Sequence, residues 1–108
     1  MKIWLDDLRD PKRFNKEESE WSTAHWVKTA ELAIKLLNEG SVTHISFDHD
    51  LGTQADGNDV AQEIERLVFE GKIAMPIWQV HSANPVGRNE IIAAMRSAER
   101  HQNQDVDM

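Results

Sequence analysis

Val42-Thr43-His44-Ile45-Ser46-Phe47-Asp48-His49-Asp50 is the stretch on which the fold turns. Its first six residues read as a strand, and the run of two acids around a histidine then marks an abrupt passage into a polar loop. The chain opens on the same pattern, Ile3-Trp4-Leu5 ending in Asp6-Asp7. Just before the central stretch, Ala30, Ala33, Ile34 and Leu37 follow helical spacing, with Thr29 as a cap and Gly40 as the stop. Just after it, a loop from Leu51 to Gly57 leads into a second helix whose inner face is Val60, Ile64, Leu67 and Val68. Gly71 ends that helix, and Pro76 stands at the lip of a further strand, Ile77 to Val80. Asn84-Pro85 then supplies a cap and a first-turn proline for a last helix burying Ile91, Ile92, Met95 and Ala98.

His25-Trp26-Val27 is a weak strand, and residues 8–22, polar with Pro11 and no sustained helical period, read as an irregular connection. Strands alternating with helices imply a parallel sheet covered on both faces, joined by right-handed crossovers. The expectation is an α/β three-layer sandwich with a mainly parallel four-stranded sheet ordered 2-1-3-4. One domain spans residues 1–101, and residues 102–108 form a polar, frayed tail.

With 108 residues the chain has material for a single core. A hydrophobic fraction of 40% and a charged fraction of 29% belong to a globular protein rather than a disordered one. There is no cysteine, hence no disulfide frame and no thiolate metal site, which fits a reducing cytoplasm. No apolar run is long enough to span a membrane, and none reads as a signal peptide. The net charge of −7 is an exclusion: proteins that bind long nucleic acids by neutralising phosphates need a basic face. A nucleic-acid partner would therefore be a small nucleotide or an RNA terminus. The oligomeric state is left open.

Chemistry collects where the strands end. In open parallel sheets ligands bind outside the carboxyl ends of the strands, near the point where strand order reverses. Asp6-Asp7, Asp48-His49-Asp50 and His81-Ser82 all sit at such ends. In the order 2-1-3-4 the first and third strands are neighbours, so their acids face each other and repel unless a cation or a raised pKa relieves them. Oxygen donors of this kind suit magnesium or manganese, with Asp6, Asp7, Asp48 and Asp50 as metal candidates. His49 and His81 are expected to reach the same crevice, where neighbouring carboxylates would favour the charged form and fit them for acid catalysis alongside Asp48. Ser82, Asn84, Gly87 and Arg88 mark a turn into a helix start, a setting that attracts anions, and Arg9 and Arg88 can clamp phosphate oxygens. His25, His44 and His101 lack such company. Trp4 and Trp78 read as core, while Trp21 or Trp26 could stack on a base.

Asp6-Asp7 after the first strand and Asp48 after the third resemble the acidic triad of response-regulator receiver domains, and Ser82-Ala83 stands where receivers carry a Ser/Thr-Ala pair. In that family two acids hold magnesium and the third accepts a phosphoryl group, although the resemblance leaves open which of Asp48 and Asp50 takes the acceptor position. Receivers also carry a fifth strand with an essential lysine and a following helix, which this chain is expected to lack. Asp6-Asp7-Leu8-Arg9, Asp48-His49-Asp50-Leu51-Gly52 and His81-Ser82-Ala83-Asn84-Pro85 together resemble a divergent branch, the cyclic-phosphate processing receivers of bacteria and phages. That resemblance implies action on a cyclic phosphate, such as a 2′,3′-cyclic phosphate in RNA repair. Three functions follow: a metal-dependent cyclic-phosphate hydrolase, a signalling receiver phosphorylated on Asp48, and a sensor that binds a cyclic phosphate without turning it over.

Overall fold

The computed structural model describes residues 1–106, with side chains through Gln102. Four strands, β1 (Lys2–Leu5), β2 (His25–Val27), β3 (His44–Phe47) and β4 (Ile77–Val80), form one parallel sheet in the order β2-β1-β3-β4. Helices α2 (Ala30–Asn38), α3 (Gly57–Phe69) and α4 (Pro85–Val106) follow β2, β3 and β4. The anticipated strand order and the α/β class are what the chain adopts. Helix α4 continues past residue 101, the boundary the sequence suggests for a tail, and residues 107–108 lie outside the described residues.

Alternation along the strands divides the sheet into two unlike faces. Ile3 and Leu5 of β1, with Ile45 and Phe47 of β3, are wholly buried in one cluster with Ala33 and Leu37 of α2, Ile64 and Leu67 of α3, and Ile91 and Met95 of α4. All three long helices thus cover the same face: right-handed crossovers place α2 and α3 there, since β2→β3 and β3→β4 step in one direction, and α4 packs against α3. Ile92 and Trp78, expected in the core, are only partly buried against it.

The β1→β2 step runs the other way, so its connection covers the opposite face. The sequence suggests an irregular connection; the structure resolves it into two single turns. Asp10 caps α1 (Pro11–Phe14), its carboxylate accepting from the Lys12 amide at 2.9 Å, and Ser19 caps a 3₁₀ turn at Glu20–Thr23. Elements one turn long show no 3.6-residue period, which is why the pattern is silent there. Trp4 of β1 faces this side and packs with Trp21, Ala24 and part of Trp26. Two indole N–H groups fasten the strap: Trp4 Nε1 donates to the Arg9 carbonyl at 2.9 Å, and Trp26 Nε1 to the Asp6 carbonyl at 2.7 Å. Among the described residues no helix is long and apolar enough to cross a membrane.

Because this second layer is one strap over one aromatic cluster, Trp21→Ala is expected to cost about 3–5 kcal/mol in urea unfolding. It should also bring new proteolytic cleavage between residues 8 and 24 while α2 to α4 stay protected. Cleavage confined to α3 or α4 would show that the strap is not the layer Trp21 secures.

Candidate functional site

The parallel register delivers three strand ends to one edge. β1 runs into Asp6-Asp7, β3 into Asp48-His49-Asp50 and β4 into His81-Ser82. A crevice of about 330 Å³ opens between them, and Asp6, Asp7, Arg9, Asp48, Asp50, Ser82 and Asn84 are among its walls. The hollows of about 500 and 640 Å³ elsewhere on the surface are larger, but neither gathers more than two acids.

Asp6 is 1% exposed and Asp48 9%, and Asp7 is partly buried beside them. One oxygen from each carboxylate lies within 4.8 Å of the others. Asp6 Oδ1 accepts the backbone N–H groups of Leu8 and Arg9, both at 2.9 Å, and Oδ2 faces His81 Nε2 at 3.0 Å and the Arg9 guanidinium at 3.9 Å. Asp48 Oδ1 accepts the His49 amide at 2.8 Å. Burial and then the charge of Asp6 push the Asp48 carboxyl up from its ordinary value, more than these hydrogen bonds and Arg9 bring it down. Two glycines make room for the acids. Gly52 has φ +70°, and a Cβ there would lie 3.0 Å from Asp7 Oδ2. A Cβ on Gly57 would fall 2.0 Å from the Asp48 carbonyl oxygen, so α3 begins hard against the end of β3. Asp50, 70% exposed, stays outside the triad.

Neither histidine lines the crevice, contrary to the expectation from sequence. His81 lies beneath it, its ring stacked on Trp4 with centroids 3.7 Å apart and planes 6° from parallel. Its Nδ1 meets Ser46 Oγ at 2.7 Å and its Nε2 meets Asp6. Burial pushes its pKa down to about 4 despite the carboxylate, so it is neutral near pH 7. His49 turns the other way, between the starts of α3 and α4. Its Nδ1 meets Asp50 Oδ1 at 2.9 Å, and its Nε2 meets Asp56 Oδ2 at 3.2 Å and Glu90 Oε2 at 3.7 Å. Burial alone would lower its pKa, but the Asp50 hydrogen bond and the Asp56, Asp50 and Glu90 charges together raise it. The same bond holds the Asp50 carboxyl down. The carboxylates around His49 thus move it toward the expected charged form, whereas burial moves His81 away from it.

Arg88, expected to clamp phosphate, instead donates from Nη1 to the Val80 carbonyl at 2.9 Å, outside the crevice. Gly87 admits no ligand either: a Cβ there would sit 2.2 Å from His49 Cγ, so the close approach it permits is that of the imidazole. Asn84 caps α4 as its position suggests, the Gly87 amide donating to its side-chain oxygen at 3.1 Å. Sequence reasoning missed Asp56 and Glu90 around His49, and Ser46 and Gln79 beneath His81. The signal for the last two was present, since a polar residue inside each of two otherwise apolar strands, in phase with Asp48 and His81, must point to their face.

A family model described as the cyclic-phosphate processing receiver domain matches residues 1–97. The chain belongs to that family. Comparisons with curated proteins and with solved structures find no match. The span matched to the cyclic-phosphate processing receiver family contains every wall of the crevice, together with His49 and His81.

The His81 shift fixes the sign of a pH effect. A histidine at about 6.5 unfolded and about 4 folded contributes stability above pH 6.5 and loses it as pH falls toward 4. Asp48 and His49, both raised, act in the opposite sense. Unfolding in urea at about pH 7 and about pH 4.5 should therefore show a smaller acid loss in His81→Gln than in the parent, by on the order of 2–3 kcal/mol. Equal losses would show that His81 is not held neutral.

Proposed function

We propose that this crevice opens a cyclic phosphate by metal-assisted hydrolysis, with a 2′,3′-cyclic phosphate on a small nucleotide or at an RNA end as its substrate. The observation that carries the reading is the convergence of Asp6, Asp7 and Asp48 within 4.8 Å beside Arg9, Ser82 and Asn84, in a chain of the cyclic-phosphate processing receiver family.

The acids fit a divalent metal, Mg2+ or Mn2+. They offer hard oxygen donors, and the Asp48 carboxyl is raised first by burial and then by the charge of Asp6, a repulsion that a dication would relieve. Bound there, the metal would neutralise charge on the phosphate and lower the pKa of a water. The rest of the work falls to the chain's own groups. Arg9, 39% exposed at the mouth, can pair with phosphate oxygens while it offsets Asp6. The Ser82 hydroxyl accepts the Asn84 amide at 3.1 Å and keeps its proton for a phosphate oxygen or Asp48. His81 enters as a positioning group, since its Nε2 is engaged with Asp6 beneath the crevice, and His49 braces α3 and α4 around the site. The size of the crevice and the net charge of −7 favour a small or terminal substrate over a long duplex. The cytoplasm is the compartment this reading assigns.

The test is turnover of 2′,3′-cyclic AMP. Activity should require added Mg2+ or Mn2+, stop with EDTA, and fall at least about 100-fold in Asp48→Asn. Saturable binding of the cyclic nucleotide without product would overturn hydrolysis in favour of a sensor. A stable, Asp48-dependent gain in intact mass after incubation with acetyl phosphate would overturn it in favour of a signalling receiver.

A further inference from the structure

The strap brings two apolar side chains to the mouth of the crevice and leaves both in contact with water. Leu8 is 81% exposed, yet it is one of the crevice walls and, among the described residues, the one large apolar group there. Phe14, the last residue of α1, is 52% exposed. Arg9 links the two. It is the wall next to Leu8, and its guanidinium carbon stands 5.5 Å from the centre of the Phe14 ring.

The fold accounts for part of this arrangement. The turn after β1 needs the Leu8 amide, which donates to Asp6 Oδ1 at 2.9 Å, and any residue but proline supplies that N–H. The Leu8 side chain joins neither buried cluster. The Phe14 ring packs inward, tilted against Trp4 at 5.4 Å and against His81 at 5.9 Å, but half of the residue stays open beside Arg9. One exposed leucine is ordinary; an apolar pair around a guanidinium, at the edge of an acid-lined crevice, has a definite chemistry. Leu8 and Phe14 carry no polar side-chain atom, and the Arg9 carbonyl is already taken by Trp4 Nε1 at 2.9 Å. A ligand there is gripped by its face and not read along its edge. Nucleobases are flat and uncharged, so the surrounding acids do not repel them, and they stack on aromatic rings and guanidinium planes. The two tryptophans that the sequence suggests for stacking are otherwise engaged. Trp21 is 6% exposed within the strap cluster, and the Lys28 ammonium stands 4.2 Å over the Trp26 ring.

We infer that Leu8, Arg9 and Phe14 form a base subsite, a ledge over which a nucleoside lays its base while its phosphate lies among the acids. The inference rests on the reading above in placing the phosphate in the crevice. It adds that the substrate is a nucleotide and not the cyclic phosphate of a sugar or polyol. It adds also that base identity is not selected. With no edge read, stacking strength alone ranks the bases, purines above pyrimidines.

The test is methyl and amide NMR of the intact domain with Mg2+ and adenosine 3′-monophosphate, a ligand with no cyclic bond to open. The ring current of a stacked base should move the Leu8 methyl signals upfield. Glycerol 3-phosphate should move the Gly52 and Asn84 amides of the crevice and leave those methyls in place. Leu8→Ser keeps the amide that the turn needs, and Phe14→Leu keeps an apolar cover on Trp4. Each should weaken the adenosine nucleotide by at least about 5-fold without changing glycerol 3-phosphate binding. Adenosine and guanosine nucleotides should bind alike, and both more tightly than the cytidine nucleotide. Crevice amides that move while the Leu8 methyls stay at rest would sink the ledge and leave the crevice reading standing. Equal weakening of nucleotide and glycerol 3-phosphate in the two variants would sink it as well. Methyl shifts without movement of the crevice amides would keep the ledge and remove the phosphate from the crevice. A nucleotide that moves neither set of signals would end both.

Discussion

The molecule is organised around the cost of keeping Asp6 inside it. A carboxylate 1% exposed has lost nearly all of its water, and an unpaired charge in that position is among the most expensive arrangements a fold can contain. Its solvation is replaced group by group: two backbone amides from the turn that follows it, the imidazole N–H of His81, and the Arg9 guanidinium at the rim. Each of these is held by something further out. Trp4 stacks on His81 and fastens the Arg9 carbonyl, and Trp26 fastens the carbonyl of Asp6 itself. The tryptophans are therefore less a hydrophobic surplus than the frame around one buried charge. With those four side chains in place, Asp48 can be brought beside Asp6, its carboxyl raised by burial and by that neighbouring charge.

The two histidines show how environment sorts chemically identical groups. One is sandwiched against an indole, where burial outweighs a single carboxylate and the ring is neutral. The other lies in a nest of three carboxylates between two helix starts and is driven toward the cation. Sequence adjacency suggested that both would be charged and both would face the crevice. The deciding variables were the identity of the stacking partner and the direction in which each ring left its strand, and neither is written in local spacing.

Much of the rest was legible. The abrupt change from apolar strand to acid at Leu5-Asp6 and Phe47-Asp48 located the site, and the alternation of strands and helices was enough to place β1 beside β3. Helical spacing identified the buried faces of α2, α3 and α4, apart from Ile92 at the margin. What could not be read were elements too short to have a period, as at Pro11–Phe14, and contacts that depend on side-chain reach. Arg88 is the plain case of the second kind, because its position at a helix start suits an anion, yet its guanidinium finds the Val80 carbonyl first. Ser46 and Gln79 lie between the two classes: in phase with the site along their strands, but readable as part of it only once the strands are seen side by side.

The strap from Leu8 to Ala24 has an evolutionary consequence. It is fixed at its ends, by the Asp6 turn and the two indole hydrogen bonds on one side and by Trp21 and Ala24 on the other, while Lys12, Arg13, Lys16, Glu17 and Glu18 between them are exposed. Variation in that interval meets neither the helical core nor the acids. A lineage could therefore retune what approaches the mouth of the crevice by rewriting a handful of surface codons, with the chemistry beneath left as it was.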